Sequence, residues 1–145
     1  MKQIRSTLSL IALSVSGVGL LSPLRGEGKD QAALARALQP AKTTLEAGLK
    51  ASEREGKPIS AKFEIENGQC QLSIYTAKGD AFTEAVLDPT TGAIVKAEKI
   101  TEADDLKEAQ GQSEAMSKAK QSLLAATEAA VKANSGSRAV STSLN

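Results

Sequence analysis

The chain of 145 residues carries 18 Lys and Arg against 17 Asp and Glu, with no His and a single Cys. This length provides for one modest domain or two very small ones. The absence of His excludes Ser-His and Cys-His nucleophile systems and imidazole metal ligands, and one Cys excludes an intramolecular disulfide.

Residues 1–28 have the layout of a secretory signal peptide. Lys2 and Arg5 form a short basic start, residues 6–24 are largely apolar and uncharged, and Ser22-Pro23 ends the run. A retained membrane anchor is the second interpretation, but the apolar part is short for a span of about 20 residues. The sequence therefore predicts an exported protein, periplasmic or extracellular, with no stable membrane insertion after cleavage.

The predicted cleavage site precedes Lys29, because Gly26 and Gly28 are small residues at the −3 and −1 positions. Leu24 and Gly26 are the poorer alternative pair. Cleavage before Lys29 removes three basic residues and one acidic residue, which leaves 15 basic against 16 acidic. This near-neutral mixture, with no Trp, one Tyr and two Phe, argues against a nucleic-acid partner.

Residues 29–55 are predicted to be helical with an interruption at Pro40. After Pro40, small and apolar residues recur at helical spacing; they are Ala41, Leu45, Leu49 and Ser52. Gly56 ends the helix and Pro58 prevents its continuation.

From residue 59 the apolar period changes to two, which predicts strands. The alternating residues are Ile59, Ala61, Phe63 and Ile65 in one run and Cys70, Leu72 and Ile74 in the next. Asn67-Gly68 between them is typical of a type I′ hairpin turn. Lys78-Gly79-Asp80 and the segment 88–92 make two further turns around strands 81–88 and 93–100. The prediction is an α+β domain over 29–100, with a helix packed on a four-stranded antiparallel sheet.

The turn "DPTTG" at 88–92 has two interpretations, a ligand site or a fold-specifying turn. Asp88 at the first position of a turn accepts backbone N–H bonds, Pro89 presets φ at the second, and Gly92 can take a positive φ. Because the turn explains each residue type, we predict a structural role for all three.

Residues 101–112 are polar and acidic and predict a linker or a frayed helix. Residues 113–134 predict one long helix with Ser113 as its N-cap and a single stripe of Met116, Ala119, Leu123, Ala126 and Ala130. The tail 137–145 alternates weakly and predicts a short strand.

The last part echoes the first. Residues 41–52 align with 119–130, and residues 56–63 align with 137–144. The segment 113–145 then provides the helix and strand of an incomplete second repeat, which must dock on the first sheet, pair across a dimer, or belong to a chain that ended early.

No catalytic, cofactor-binding or metal-binding residue set is predicted. Cys70 is interpreted as a small buried hydrophobe, because no His is present to activate its thiol. Glu64 and Glu66 share the polar face of a strand, where a solvated outer face is favoured over a cation site or an acid–base pair. Asp104 and Asp105 lie in the predicted linker without the spacing of a calcium loop.

The segments Gly56–Phe63 and Ala85–Ile94 resemble the PepSY domain pattern, G-x-P-[IV]-x-A-x-[FL] followed by [VA]-x-[VL]-D-x-x-T-G-x-[IV]. The resemblance covers about residues 41–100, with a truncated second copy at about 115–144. PepSY domains occur in propeptides of thermolysin-type metalloproteases and in exported bacterial proteins, where the proposed role is restraint of peptidases or regulation at the cell surface.

Two functions are expected from these features. The first is a non-enzymatic exported module that binds a protein, such as a peptidase or another envelope protein, through a sheet edge or face. The second is a structural or assembly role in which the incomplete repeat adds a strand to a neighbour or forms a homo-oligomer through its C-terminal strand. Neither function needs a cofactor.

Overall fold

Six strands form one antiparallel sheet in the computed structural model of the chain, which describes residues 8–14 and 27–144. The strands are β1 (Leu8–Ser14), β2 (Lys57–Glu66), β3 (Gln69–Lys78), β4 (Ala81–Leu87), β5 (Ile94–Lys99) and β6 (Ser137–Leu144). Their order across the sheet is β1-β6-β2-β3-β4-β5. The helices are α1 (Glu27–Ala37), α2 (Leu45–Ser52), α3 (Ala103–Ser117) and α4 (Leu123–Ala133).

The predicted α+β class is confirmed, and β2 to β5 form the predicted meander of consecutive antiparallel neighbours. The turn between β2 and β3 has positive φ at both central residues, 52° at Asn67 and 77° at Gly68, as a type I′ turn requires. The interruption of the first helical region is also present, since α1 and α2 flank Pro40.

The first face of the sheet packs on α2 and α4 and contains most of the core. Leu45 and Leu49 of α2 and Leu72 and Ile74 of β3 are fully buried there. Gly48 allows this close approach, because a Cβ on it would lie 3.1 Å from Ile74 Cδ1. Three residues of the predicted stripe, Leu45, Leu49 and Ser52, form the buried side of α2. The prediction is wrong for Ala41, which lies half-buried in the loop before the helix.

The second face is covered by α3. Of the two predictions for 101–112, the linker is wrong from Ala103 onward and the helix is present, and this helix continues without fraying to Ser117. Asp104 and Asp105 lie in the first turn of α3, where the positive end of the helix dipole stabilises their negative charge. Ala109 and Met116 are its buried apolar residues. The sheet face beneath α3 is largely polar, so the helix buries only a narrow apolar side. Its sequence therefore lacks a clear helical pattern of apolar residues, which favours the prediction of a linker.

The predicted single helix over 113–134 is wrong as well, because the chain leaves the helix after Ser117 and begins α4 at Leu123. Ser122 is the N-cap of α4, and its Oγ accepts the Ala125 N–H at 3.1 Å. Ser113, the predicted N-cap, lies inside α3. The interrupting residues 118–121 are good helix formers, so docking on opposite sheet faces overrides local propensity.

The C-terminal strand docks on the first sheet, one of the three arrangements left open by the repeat. Ser141, Thr142 and Ser143 of β6 pair with Lys62, Ala61 and Ser60 of β2. On its other side, β6 pairs with β1. The strand β1 falls within the predicted signal peptide, whereas the basic start and the Ser22-Pro23 break of that prediction lie outside the described residues.

Candidate functional site

The outer edge of β6 is the first candidate site. All seven residues of β1 are in register with it, from Leu8 opposite Leu144 to Ser14 opposite Ser137, with a bulge between Ile11 and Ala12. The pairing of β6 with β2 covers only residues 141–143. Within the described part of the chain, the first half of β6 therefore has β1 as its sole strand neighbour.

The opposite edge of the sheet, β5, has a different chemistry. Five of its six residues are exposed, including Val95 at 65%. Lys96 and Glu98 form an ion pair on it with Nζ and Oε2 2.9 Å apart, and Lys99 adds a further charge. Charged side chains of this kind discourage pairing at a sheet edge. The β6 edge, by contrast, carries Arg138 as its single charge.

Arg138 is directed back into the molecule and anchors β6. Its guanidinium donates to the carbonyl oxygens of Ala41, at 3.2 Å, and of Thr43 in the loop before α2. The same guanidinium lies 5.0 Å from the ring centroid of Phe63, a cation–π distance. The charge of Arg138 is thus bound within the molecule. The other residues of β6 are small or apolar and carry no charge.

The turn at 88–92 contacts the same loop from the other side. Asp88 Oδ1 accepts the N–H groups of Thr90 and Thr91 at 2.7 and 2.8 Å. The N–H bond from Thr91, with a second from Thr90, holds the pKa of Asp88 below its ordinary value. The Pro89 carbonyl accepts the N–H of Thr43 at 2.9 Å, and Gly92 has φ +73°. Asp88 therefore acts in chain reversal as predicted, and the Pro89 carbonyl joins the turn to the loop before α2.

Glu64 lies in a hydrogen-bonded network on the second sheet face. Ser73 Oγ donates to Glu64 Oε1 at 2.7 Å, Gln71 Nε2 donates at 3.1 Å, and Lys62 Nζ lies 3.0 Å from Oε2. Burial raises the pKa of Glu64, but the hydrogen bonds from Ser73, Lys62 and Gln71 outweigh it and lower the pKa overall. Glu64 is consequently a weak base.

The hydroxyl of Ser73 is unsuited to nucleophilic chemistry. The side chain is 2% exposed, and the hydroxyl donates to Glu64 while it accepts from Gln71 at 3.1 Å. Glu66 contributes another acceptor to Gln71, at 2.8 Å. The predicted solvated face is confirmed for Glu66, which is exposed, and is wrong for Glu64, which is half-buried. Both glutamates accept from Gln71, and the network stabilises strand pairing between β2 and β3.

Cys70 lies at the margin of the core on β3. Its residue is half-buried, and burial raises the pKa of the thiol while the charge of Arg138 opposes that shift. A thiol held protonated is a poor nucleophile.

Asp105, in contrast to its neighbour Asp104, lines a cavity between α3 and the sheet.

Sequence reasoning missed two features of the molecule. Arg138 falls in the tail for which the sequence predicts only a weakly alternating strand, although an Arg within an otherwise uncharged strand is a signal for a buried partner. Gln112 is 6% exposed and falls in the segment predicted as a linker or a frayed helix, where its sequence context gives no signal of burial.

Comparisons with protein-family models, with curated proteins and with solved structures found no match for this chain. The PepSY resemblance therefore stays a prediction carried by the two segments that suggested it. None of the helices in the described ranges is long and apolar enough to cross a membrane. Over these same ranges, no three His, Cys, Asp or Glu side chains are grouped as metal ligands would be.

Proposed function

We propose that the chain is an exported, non-enzymatic module that binds an extended segment of a partner protein at the outer edge of β6. The observation that carries this proposal is that β1, the strand on that edge, belongs to the predicted signal peptide. Signal cleavage before Lys29 removes β1 and leaves the edge open. The lack of His in the chain supports a binding role over catalysis.

An open β6 edge presents unpaired backbone hydrogen-bonding groups that a new strand can satisfy. Backbone N–H and C=O groups along the first half of β6 lose their neighbour when β1 is removed, and unpaired edge groups are templates for strand addition. The strand cannot move away from the sheet to satisfy them, since Arg138 binds the loop before α2. The edge is therefore preorganised for an incoming segment, which lowers the entropic cost of binding.

The composition of β1 defines the partner segment. The sequence LSLIALS has no charge and no Pro, and it is accepted in register over the whole of β6. We therefore expect the partner to supply an uncharged, largely apolar segment of about seven residues in an antiparallel orientation. The resemblance to PepSY modules makes an exported peptidase the first partner class to examine.

A synthetic peptide of residues 8–14 with solubilising lysines at both ends provides the test. We expect it to bind the chain that begins at Lys29 and to bind the full chain far more weakly, because β1 already occupies the edge there. Isothermal titration measures both affinities, and circular dichroism confirms that the shorter chain is folded. If the shorter chain does not fold alone, Ile11→Pro in the full chain opens the same edge by removing a backbone donor of β1.

Two N-methylated peptides supply the matched control. Alternate N–H groups of an added strand point toward and away from the sheet, so methylation of one set should abolish binding and methylation of the other set should leave it intact. Equal loss with both sets, or equal affinity of the peptide for the shorter and full chains, would contradict docking at β6. Dimerisation of the shorter chain that the peptide does not disrupt would favour the assembly role instead.

A further inference from the structure

The strand β5 forms the edge of the sheet opposite to β1 and is accessible to another molecule. Within the described ranges, β4 is its only strand neighbour, and the helices pack mainly on β2, β3 and β6. Val95 of β5 is 65% exposed, a high value for a large hydrophobic residue. The side chains of Lys96 and Glu98 are 57% and 63% exposed. The side chains that would contact a strand added at this edge are therefore open to solvent.

The backbone of β5 directs two of its residues away from β4. Ile100, just after the strand, donates its N–H to the Phe82 carbonyl at 2.9 Å, and this pair continues the register between β4 and β5. In an antiparallel ladder, residues that bond one neighbour alternate with residues whose N–H and C=O groups point the other way. By this alternation from Ile100, Lys99 and Ala97 present their N–H and C=O groups at the open edge.

The charge pattern of β5 matches a second copy of the same strand in one register. When two copies pair antiparallel about Ala97, Lys96 of each copy lies opposite Glu98 of the other, which gives two complementary pairs. The backbone agrees with this register, because each Ala97 then faces its counterpart and both direct N–H and C=O groups across the contact. Val95 comes to lie opposite Lys99 of the copy, whose aliphatic stem can cover it.

Other registers of two β5 strands are opposed by charge or by length. Pairing about Lys96, Glu98 or Lys99 places that residue opposite its own counterpart, and like charges directly opposite each other destabilise a sheet. Pairing about Val95 leaves Glu98 beyond the start of the other strand, without a complementary charge. Charged edges discourage strands that do not match them. Lys96 and Glu98 therefore disfavour other strands and other registers, and they favour a copy of β5 paired about Ala97.

We propose that β5 is a dimerisation edge, at which a second copy of this chain adds its own β5 in antiparallel orientation about Ala97. The contact is symmetric, because the same surface of each copy is used, and it joins the two sheets into one. Each copy contributes a single strand, so the interface is small and the dimer is reversible. This inference does not rest on the proposed partner site, because three strands separate β5 from β6.

Charge reversal tests both the dimer and its register. Sedimentation equilibrium of the full chain should show a concentration-dependent dimer. Lys96→Glu and Glu98→Lys each place like charges opposite each other in the homodimer, so each variant alone should dimerise about tenfold more weakly or worse. An equimolar mixture of the two variants restores both complementary pairs and should recover the dimer. Lys78→Glu is the matched control, because Lys78 is exposed at the end of β3, and it should leave dimerisation unchanged.

Ala97→Pro tests the backbone contact without a change of charge. It removes an N–H that points away from β4, so circular dichroism should show a folded chain while sedimentation shows a monomer. A wild-type chain that stays monomeric up to its solubility limit would overturn the proposal. A dimer that survives both charge reversals, or a mixture of the reversed variants that stays monomeric, would also overturn it. In the chain that begins at Lys29, Glu98→Lys separates this dimer from one at the β6 edge, which the substitution does not touch.

Discussion

Asp88 and Gly92 act on two different parts of the turn between β4 and β5. The Asp88 carboxylate accepts two N–H groups inside the turn, and Gly92 brings the chain against the loop before α2. A Cβ on Gly92 would lie 3.0 Å from Thr43 Oγ1. The glycine is thus required both by its positive φ and by the close approach of Thr43.

Gly92→Val tests this double requirement. We expect a loss of about 2 kcal/mol or more in the free energy of unfolding, because a β-branched residue is strained at positive φ and would also press on Thr43. Gly79→Val is the matched control, since Gly79 has φ +61° and a Cβ added to it would meet no atom within 4 Å among the described residues. Urea denaturation of both variants separates the two effects. Equal losses would remove the Thr43 contact from the explanation, and an unchanged Gly92→Val would remove the turn assignment.

Individual residue roles could be predicted where the cause is local. The turn chemistry of Asp88 and Gly92 and the hairpin at Asn67-Gly68 depend on backbone conformation within a few residues, and sequence reasoning found them. The environment of Glu64 depends on Ser73 and Gln71 across the hairpin, and that of Gln112 depends on a helix that was not expected. Such non-local surroundings have no signature in the spacing of residues.

At the scale of elements, the strands could be predicted and the C-terminal helices could not. Strands β2 and β3 alternate because one side packs on α2, which is a strong periodic signal. The helix α3 covers a polar sheet face and buries only Ala109, Gln112 and Met116, so its sequence has little amphipathic pattern. The separation of α3 from α4 is imposed by the two faces that they cover.

Arg138 fixes the position of β6 relative to the loop before α2. Its substitution by Met keeps much of the side-chain volume but removes the donors to the Ala41 and Thr43 carbonyls. We expect Arg138→Met to lower the free energy of unfolding by about 1–3 kcal/mol, because partly buried acceptors lose charged donors. Arg54→Met is the control, as Arg54 is exposed and pairs only with its neighbour Glu55 among the described residues. Urea denaturation that gave both variants the same stability would contradict the anchoring role.

At the scale of the whole molecule, the segment 113–145 and the domain predicted over 29–100 share one core. Leu123 of α4 is 2% exposed, and Thr142 of β6, at 1%, pairs with Ala61 of β2. The strand β6 is an inner strand of the sheet, with β2 on one side and β1 on the other. The segment 113–145 is therefore a structural part of the domain predicted over 29–100 and not an appendage to it.

This shared core predicts a single cooperative unfolding transition. Fluorescence of Tyr75, the sole Tyr of the chain, reports on β3 and α3, and far-ultraviolet circular dichroism reports on all helices including α4. The two urea transitions should coincide. Leu123→Ala in α4 and Leu87→Ala in β4 each truncate a buried side chain. Each should therefore lower the free energy of unfolding by about 2–5 kcal/mol, and by the same amount whether fluorescence or dichroism is measured. If Leu123→Ala shifted only the dichroism and left Tyr75 fluorescence unchanged, α4 and β6 would form a separate unit. In that case removal of β1 would free a segment able to leave the sheet, and the β6 edge would not be preorganised for a partner strand.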